Sequence, residues 1–169
     1  MFSWNARGLN IPHKRVALLE VLRKEKVGVA MISESHLLEK DSLRIHNKQY
    51  HVVAHSAAAN KSKGVLIIVK RNLNFTNLGT GGDTEGRVTF IKTLINNKKI
   101  AFVSVYAPNT YDAAFFSQLT QTILELDGFQ LIIGADFNAV WEHAIDRTSP
   151  VEGSDQKLAS TALKNGRKI

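Results

Sequence analysis

The feature that most narrows the fold of this chain is a set of short apolar runs, each stopping on a polar side chain. The sharpest is Leu131-Ile132-Ile133-Gly134-Ala135-Asp136-Phe137-Asn138. Its apolar start predicts a strand buried on both faces of a sheet. The run breaks at Gly134 and then delivers Asp136 and Asn138, with Phe137 pointing the other way if the chain stays extended. A carboxylate and a carboxamide thus share one face at the mouth of a strand. Such a pair can hold a metal, orient a water or hydrogen-bond a phosphate. Taken alone, the stretch reads more simply as a strand cap that starts a turn.

Three other runs end in the same way. Phe2 to Asn5 reads as the end of a short strand, followed by the turn Ala6-Arg7-Gly8-Leu9-Asn10. Val29-Ala30-Met31-Ile32 runs into Ser33-Glu34-Ser35-His36, and Ile100 to Tyr106 runs into Ala107-Pro108-Asn109, where Pro108 stops it. Gly64 to Lys70 carries the strongest central-strand signal, through its β-branched content. Val88 to Ile95 pairs with the run after it through the hairpin-like Asn96-Asn97-Lys98-Lys99. Gly79 to Gly86 reads as turn, Ala57 to Lys63 as an exposed connection, and residues 37–56 as a loop with one strand near Tyr50 to Ala54.

Helices fall between these runs. Pro12 suits a first helical turn, Leu18, Leu19 and Leu22 form one stripe, and Gly28 closes the helix. Asp112 caps a second helix carrying Phe116, Leu119, Ile123 and Leu126, which Gly128 ends. Ser154 caps a third segment with Leu158, Ala159, Ala162 and Leu163 on one side. Strands alternating with helices around a central hairpin predict an α/β protein with mixed sheets covered by helices, and 169 residues suit one domain.

Composition removes some chemistries. Cysteine is absent, so neither a disulfide-linked partner nor a thiolate metal site is available. No apolar run is long enough to cross a bilayer, so a membrane partner is not expected. Twenty-two basic residues against fifteen acidic ones give a net charge of +7, which favours polyanionic partners. The basic residues are dispersed, so a solvated surface accounts for them equally well.

If the strands lie side by side, Asn5, Glu34, Tyr106 with Asn109, and Asp136 with Asn138 gather at one edge of the sheets, where open α/β sheets bind ligands. One carboxylate near amide oxygens suits Mg²⁺, and a second can orient or deprotonate a water. A tyrosine hydroxyl and an asparagine NH₂ can donate to a phosphate as charge builds on it. Each residue also has a plainer role: Asn5 as a turn former, Glu34 as a solvated strand end, Tyr106 as core, His36 as a structural hydrogen-bonder.

The blocks Ser-Trp-Asn-Ala-Arg-Gly-Leu-Asn (3–10), Ser-Glu-Ser-His-Leu (33–37), Gly-Val-Leu-Ile-Ile-Val (64–69), Val-Tyr-Ala-Pro-Asn (105–109) and Gly-Ala-Asp-Phe-Asn (134–138) resemble the endonuclease/exonuclease/phosphatase superfamily. Within it they look most like the apurinic-site-like (exonuclease III-like) endonuclease domain of LINE-type non-LTR retrotransposons, and Ile145-Asp146-Arg147 resembles that group's Leu-Asp-Arg. The resemblance implies a DNase I-like four-layer α/β sandwich and cleavage of DNA phosphodiester bonds dependent on Mg²⁺, with Mn²⁺ as the alternative metal, with DNA as partner and an intracellular, nuclear location. Carried over by position, Glu34 holds the metal with Asn5 beside it, and Tyr106 polarises the scissile phosphate. Asp136 orients or deprotonates the water, and Asn138 stabilises the phosphorane-like charge. Arg7, His36 and Asn109 support the site or bind substrate.

The resemblance also implies a closing block with Ser, Asp and usually His. None of the six histidines (13, 36, 46, 51, 55, 143) lies beyond the last helical segment. The expectation is one domain over 1–169 that lacks its C-terminal part. The alternative function is a catalytically inactive remnant that at most binds nucleic acid through its basic surface. A phosphatase for lipid or nucleotide phosphates is a further reading, which the Tyr-Ala-Pro-Asn block and the basic charge disfavour.

Overall fold

A computed structural model describes residues 1–138. Two four-stranded sheets pack face to face. The first contains β1 (Phe2–Asn5), β2 (Val29–Ser33), β4 (Val65–Lys70) and β3 (Tyr50–Ser56), in that order. The second runs β5 (Thr76–Gly82), β6 (Val88–Ile95), β7 (Lys98–Tyr106), β8 (Gln130–Asp136). Both sheets are mixed: β1–β2 and β7–β8 are parallel and the remaining pairs antiparallel. Each parallel pair is joined across a helix, α1 (Pro12–Lys24) and α3 (Ala113–Leu124), so each sheet carries one βαβ unit. A single-turn helix α2 (Glu39–Ser42) sits in the stretch read as loop.

Three apolar clusters define four layers. Leu18, Leu19 and Leu22 of α1 pack on Ala30, Ile32, Leu66 and Ile68 of the first sheet. Val29, Met31, Ile67 and Val69 meet Ile91 and Phe102 between the sheets. Phe115 and Leu119 of α3 cover Val103 and Val105 on the outer face of the second sheet. The result is the four-layer α/β sandwich with two mixed sheets flanked by helices. Buried Tyr50 binds the first helix to its sheet, its hydroxyl donating to Leu22 O (2.8 Å) and Val27 O (2.9 Å).

Local signals explain most boundaries. Pro12 stands in the first turn of α1, and Asp112 caps α3 by accepting from the N–H groups of Ala114 and Phe115. Four expectations need correction or fall away. Gly28 does not close α1; the helix ends at Lys24, and Lys26 takes the left-handed position (φ 51°) that a glycine usually fills. Thr76–Gly82, with three of the glycines read as turn, is a strand, because β6 supplies its ladder and the Phe90 ring covers Gly81. Strand β8 is not buried on both faces: among the described residues it pairs only with β7, and Ile133 remains 42% exposed. The segment predicted to start at Ser154 lies outside the described residues, as does His143.

Candidate active site

The two βαβ units point the same way, so the carboxyl ends of β1, β2, β7 and β8 converge on one edge of the sandwich. Asn5 is the last residue of β1, Glu34 follows β2, Tyr106 ends β7 and Asp136 ends β8. The sheets close tightly behind them at Gly134, where a Cβ would stand only 2.7 Å from Met31 Cβ and 2.9 Å from Ser3 Oγ. Glycine at this position lets the strand that carries Asp136 approach the strands that carry Asn5 and Glu34.

Asn5 joins the two sheets. Its Nδ2 donates to Glu34 Oε1 at 2.8 Å and to Asp136 Oδ2 at 2.7 Å, while its Oδ1 accepts from the backbone N–H of Arg7 at 3.0 Å. The sequence reading set Asn5 beside a metal; as placed, its amide nitrogen bridges two carboxylates and its oxygen is taken by the turn. Two negative groups are thereby held together by one neutral donor, an arrangement that favours a cation or a proton-donating ligand in front of them.

Past β2 the backbone is unusual. Glu34 (φ 51°) and His36 (φ 53°) both adopt left-handed conformations, as do Arg7 (φ 46°) and Asn138 (φ 48°). Half of the eight non-glycine residues with positive φ among the described residues therefore lie at this edge, where strained backbone commonly aims functional side chains. Gly8 N–H donates to Glu34 O (2.7 Å) and Leu9 N–H to Ser35 O (2.8 Å), which holds that conformation. Gly8 also lets the His36 ring lie close, since a Cβ there would be 3.3 Å from His36 Nδ1. His36 Nε2 stands 3.8 Å from Glu34 Oε2, near enough to pair with it when protonated.

On the other side, Asn138 folds back over the end of β7. Its Nδ2 donates to Ala107 O (2.7 Å) and its N–H to Asp136 Oδ1 (3.1 Å). The Tyr106 phenol is pushed above the ordinary tyrosine value, first by burial, then by the charge of Glu34 and a hydrogen bond to it, with Asp136 adding. A hydrogen bond with Asn138 works in the opposite direction. The Tyr106 hydroxyl thus stands as a hydrogen-bond donor beside Glu34.

The structure brings Asn5, Glu34, Tyr106, Asp136 and Asn138 into one hydrogen-bonded group, with His36 at its margin. Arg7 and Asn109 are exposed on the adjoining loops and stand outside the group. The sequence reading missed Arg87, whose Nη1 donates to Tyr106 O (3.3 Å). Arg87 immediately precedes β6, and only the hairpin partnership of β6 and β7 places it there. Among the described residues, no group of three or more His, Cys, Asp or Glu side chains could hold a metal ion. Two carboxylates around one amide fit a Mg²⁺ that keeps several waters and completes its shell with substrate phosphate, and do not fit a cage built by the protein alone.

Known proteins share this architecture. The catalytic domain of Xenopus laevis APE2 superposes with a TM-score of 0.69 at 19% identity, covering 96% of this chain and 65% of that one. An endonuclease/exonuclease/phosphatase from Bacteroides vulgatus gives 0.62 at 14%, covering 82% and 64%. The endonuclease domain of TRAS1, a telomere-specific non-LTR retrotransposon, gives 0.57 at 15%, covering 81% and 57%. The chain thus spans less than two thirds of the length of each. At these identities the likeness shows the fold. The sequence pattern of the Endonuclease/Exonuclease/phosphatase family matches residues 2–155 and so takes in every residue of the site; the chain belongs to that family.

Proposed function

We propose that this chain is a DNA-binding module of nuclease descent, which holds a phosphodiester at the Asn5–Glu34–Tyr106–Asp136–Asn138 edge and does not by itself hydrolyse it. One observation carries this reading: the group sets the Tyr106 hydroxyl and the Asn138 amide beside two carboxylates, and among the described residues no group of three or more His, Cys, Asp or Glu side chains could hold a metal ion. The net charge of +7 supplies the sequence-independent attraction to DNA. The similarity to a retrotransposon endonuclease domain supports DNA over other phosphodiesters, and a DNA ligand in turn supports a nuclear location. No helix among the described residues is long and apolar enough to cross a membrane.

A second reading is a Mg²⁺-dependent DNA endonuclease of the exonuclease III-like kind, with Mn²⁺ as a substitute. It is favoured by the Tyr106 hydroxyl standing beside Glu34 and by the way Mg²⁺ uses only one or two protein carboxylates beside substrate phosphates. In that case Glu34 would hold the metal, which supplies neutralising charge on the phosphate. Asp136 would orient a water, and Tyr106 and Asn138 would donate to the phosphate oxygens.

Supercoiled plasmid incubated with Mg²⁺ separates the two. The proposed reading predicts intact plasmid together with salt-sensitive DNA binding. Nicking that disappears in both Glu34→Ala and Asp136→Ala would replace it with the second reading, and phosphate release from inositol lipids would replace both.

A further inference from the structure

Three aromatic side chains are strongly exposed among the described residues: Trp4, Tyr111 and Phe137. Trp4 meets Phe2 edge-on, whereas Tyr111 lies flat against a neighbour. Tyr111 stands one residue before Asp112, the cap of α3, and its ring stacks on that of Phe116, with 5.6 Å between centres and 19° between planes. The pair is a hydrophobic staple, which fixes the angle at which the chain enters the helix. Asp112 secures the same corner by accepting from the N–H groups of Ala114 (3.0 Å) and Phe115 (3.1 Å).

A row of close contacts joins this corner to the site. The Arg87 guanidinium lies 5.9 Å from the Tyr106 ring centre and 5.8 Å from that of Phe115. Phe115 meets Phe116 edge-on at 5.3 Å, and Phe116 carries Tyr111. The row thus begins at Tyr106, in the hydrogen-bonded group, and ends at a side chain that is 54% exposed. A staple uses one face of that ring, and any apolar side chain would serve it. With one face covered, such exposure leaves the other face flat, oriented and in solvent. Aromatic faces beside a backbone-binding groove are what unpaired bases stack on, whatever their identity. A base inside a duplex already has neighbours on both faces, so the ring can take only a base that has left its stack.

We propose that Tyr111 stacks on an unpaired nucleobase of the strand whose phosphodiester lies at the Asn5–Glu34–Tyr106–Asp136–Asn138 edge, so that the ligand is a single-stranded segment of DNA. This rests on the DNA-binding reading above. Because the ring is already oriented, little freedom is lost when a base docks on it. A role confined to the staple predicts that any apolar replacement preserves binding. Base stacking predicts that only another aromatic ring does.

The test is the affinity of the wild-type chain, Tyr111→Leu and Tyr111→Phe for a fluorescein-labelled thymidine strand and for the same strand with abasic units in place of its bases. One aromatic–base stack is worth roughly 5- to 150-fold in affinity. The wild-type chain and Tyr111→Phe are expected to prefer the base-bearing strand by at least the lower of those factors, and Tyr111→Leu to lose the preference. The salt dependence of binding should be the same in all three, because no charge is removed. Equal binding of both strands by the wild-type chain overturns the assignment, as does a preference kept in Tyr111→Leu or lost in Tyr111→Phe. If Tyr111→Leu fails to fold, photocrosslinking of the wild-type chain to a strand carrying 5-iodouracil replaces it. The crosslink should map to Tyr111; crosslinking that spares Tyr111 overturns the proposal. A wild-type chain that binds neither strand nor a duplex refutes the DNA-binding reading itself, which is a separate outcome from DNA bound without a base on Tyr111.

Discussion

Strands β4 and β8 carry nearly the same kind of sequence, Val65-Leu66-Ile67-Ile68-Val69 and Leu131-Ile132-Ile133, and meet different environments. β4 lies between β2 and β3, and its five apolar residues are all buried. β8 has only β7 beside it among the described residues and is buried at Gly134 alone. An apolar run therefore specifies strand formation, while its burial is decided by neighbours that the run does not encode. The functional consequence follows from the difference. β4 is the packed centre of the first sheet, whereas β8, paired with β7 alone among the described residues, presents its polar carboxyl end, Asp136.

The largest effect that would sharpen this contrast is a paired truncation. Ile67→Ala, fully buried between the sheets, should cost about 2–5 kcal/mol of unfolding free energy in urea. Ile133→Ala should stay within roughly 0.5 kcal/mol. Equal losses would mean that β8 is as enclosed as β4.

Gly134→Ala comes next. The added methyl meets Met31 and Ser3 at distances that force one sheet to shift, at a cost of about 1–3 kcal/mol. Because that shift moves Asp136 away from Asn5, DNA affinity should fall along with stability. Loss of stability with affinity unchanged would separate the approach of the sheets from the assembly of the site.

The smallest effect is a pH dependence on the β4 side. His51 pairs with Val69 of β4, and burial, reinforced by the charge of Arg71, holds its pKa below the ordinary 6.5. As pH falls from about 6.5 towards that lower value, the unfolded chain takes up the proton first, so stability declines through this window. His51→Gln should flatten the decline in urea midpoints between pH 8 and 5. An unchanged decline would assign it elsewhere.

Much of the site was legible because its residues are local signals: a polar side chain directly after an apolar run marks the end of a strand. Asn5, Glu34, Tyr106 and Asp136 could each be found in that way. Their meeting was expected only on condition that the strands lie side by side, and what meets that condition, two βαβ units facing one another across Met31 and Gly134, is not written in any one run. Arg87 was illegible because only the register of β6 on β7 sets it beside Tyr106. β5 was hidden for the opposite reason, as glycines that read as turn become strand once Phe90 lies across them. Lys26 shows a local rule overridden, with a lysine in the left-handed position that ends α1 two residues before the glycine predicted to do so.

The central claim is that Glu34 and Asp136, joined through Asn5, face a DNA phosphate. The most direct measurement is affinity for a short duplex at fixed ionic strength without divalent metal, comparing the wild-type chain with Glu34→Gln and Asp136→Asn. Two unneutralised carboxylates oppose a phosphate with an energy of about 1 kcal/mol per pair in water-like surroundings, equivalent to roughly fivefold in affinity. Either substitution should therefore tighten binding by about that factor or more. Affinity unchanged in both variants would place the DNA elsewhere and contradict the account.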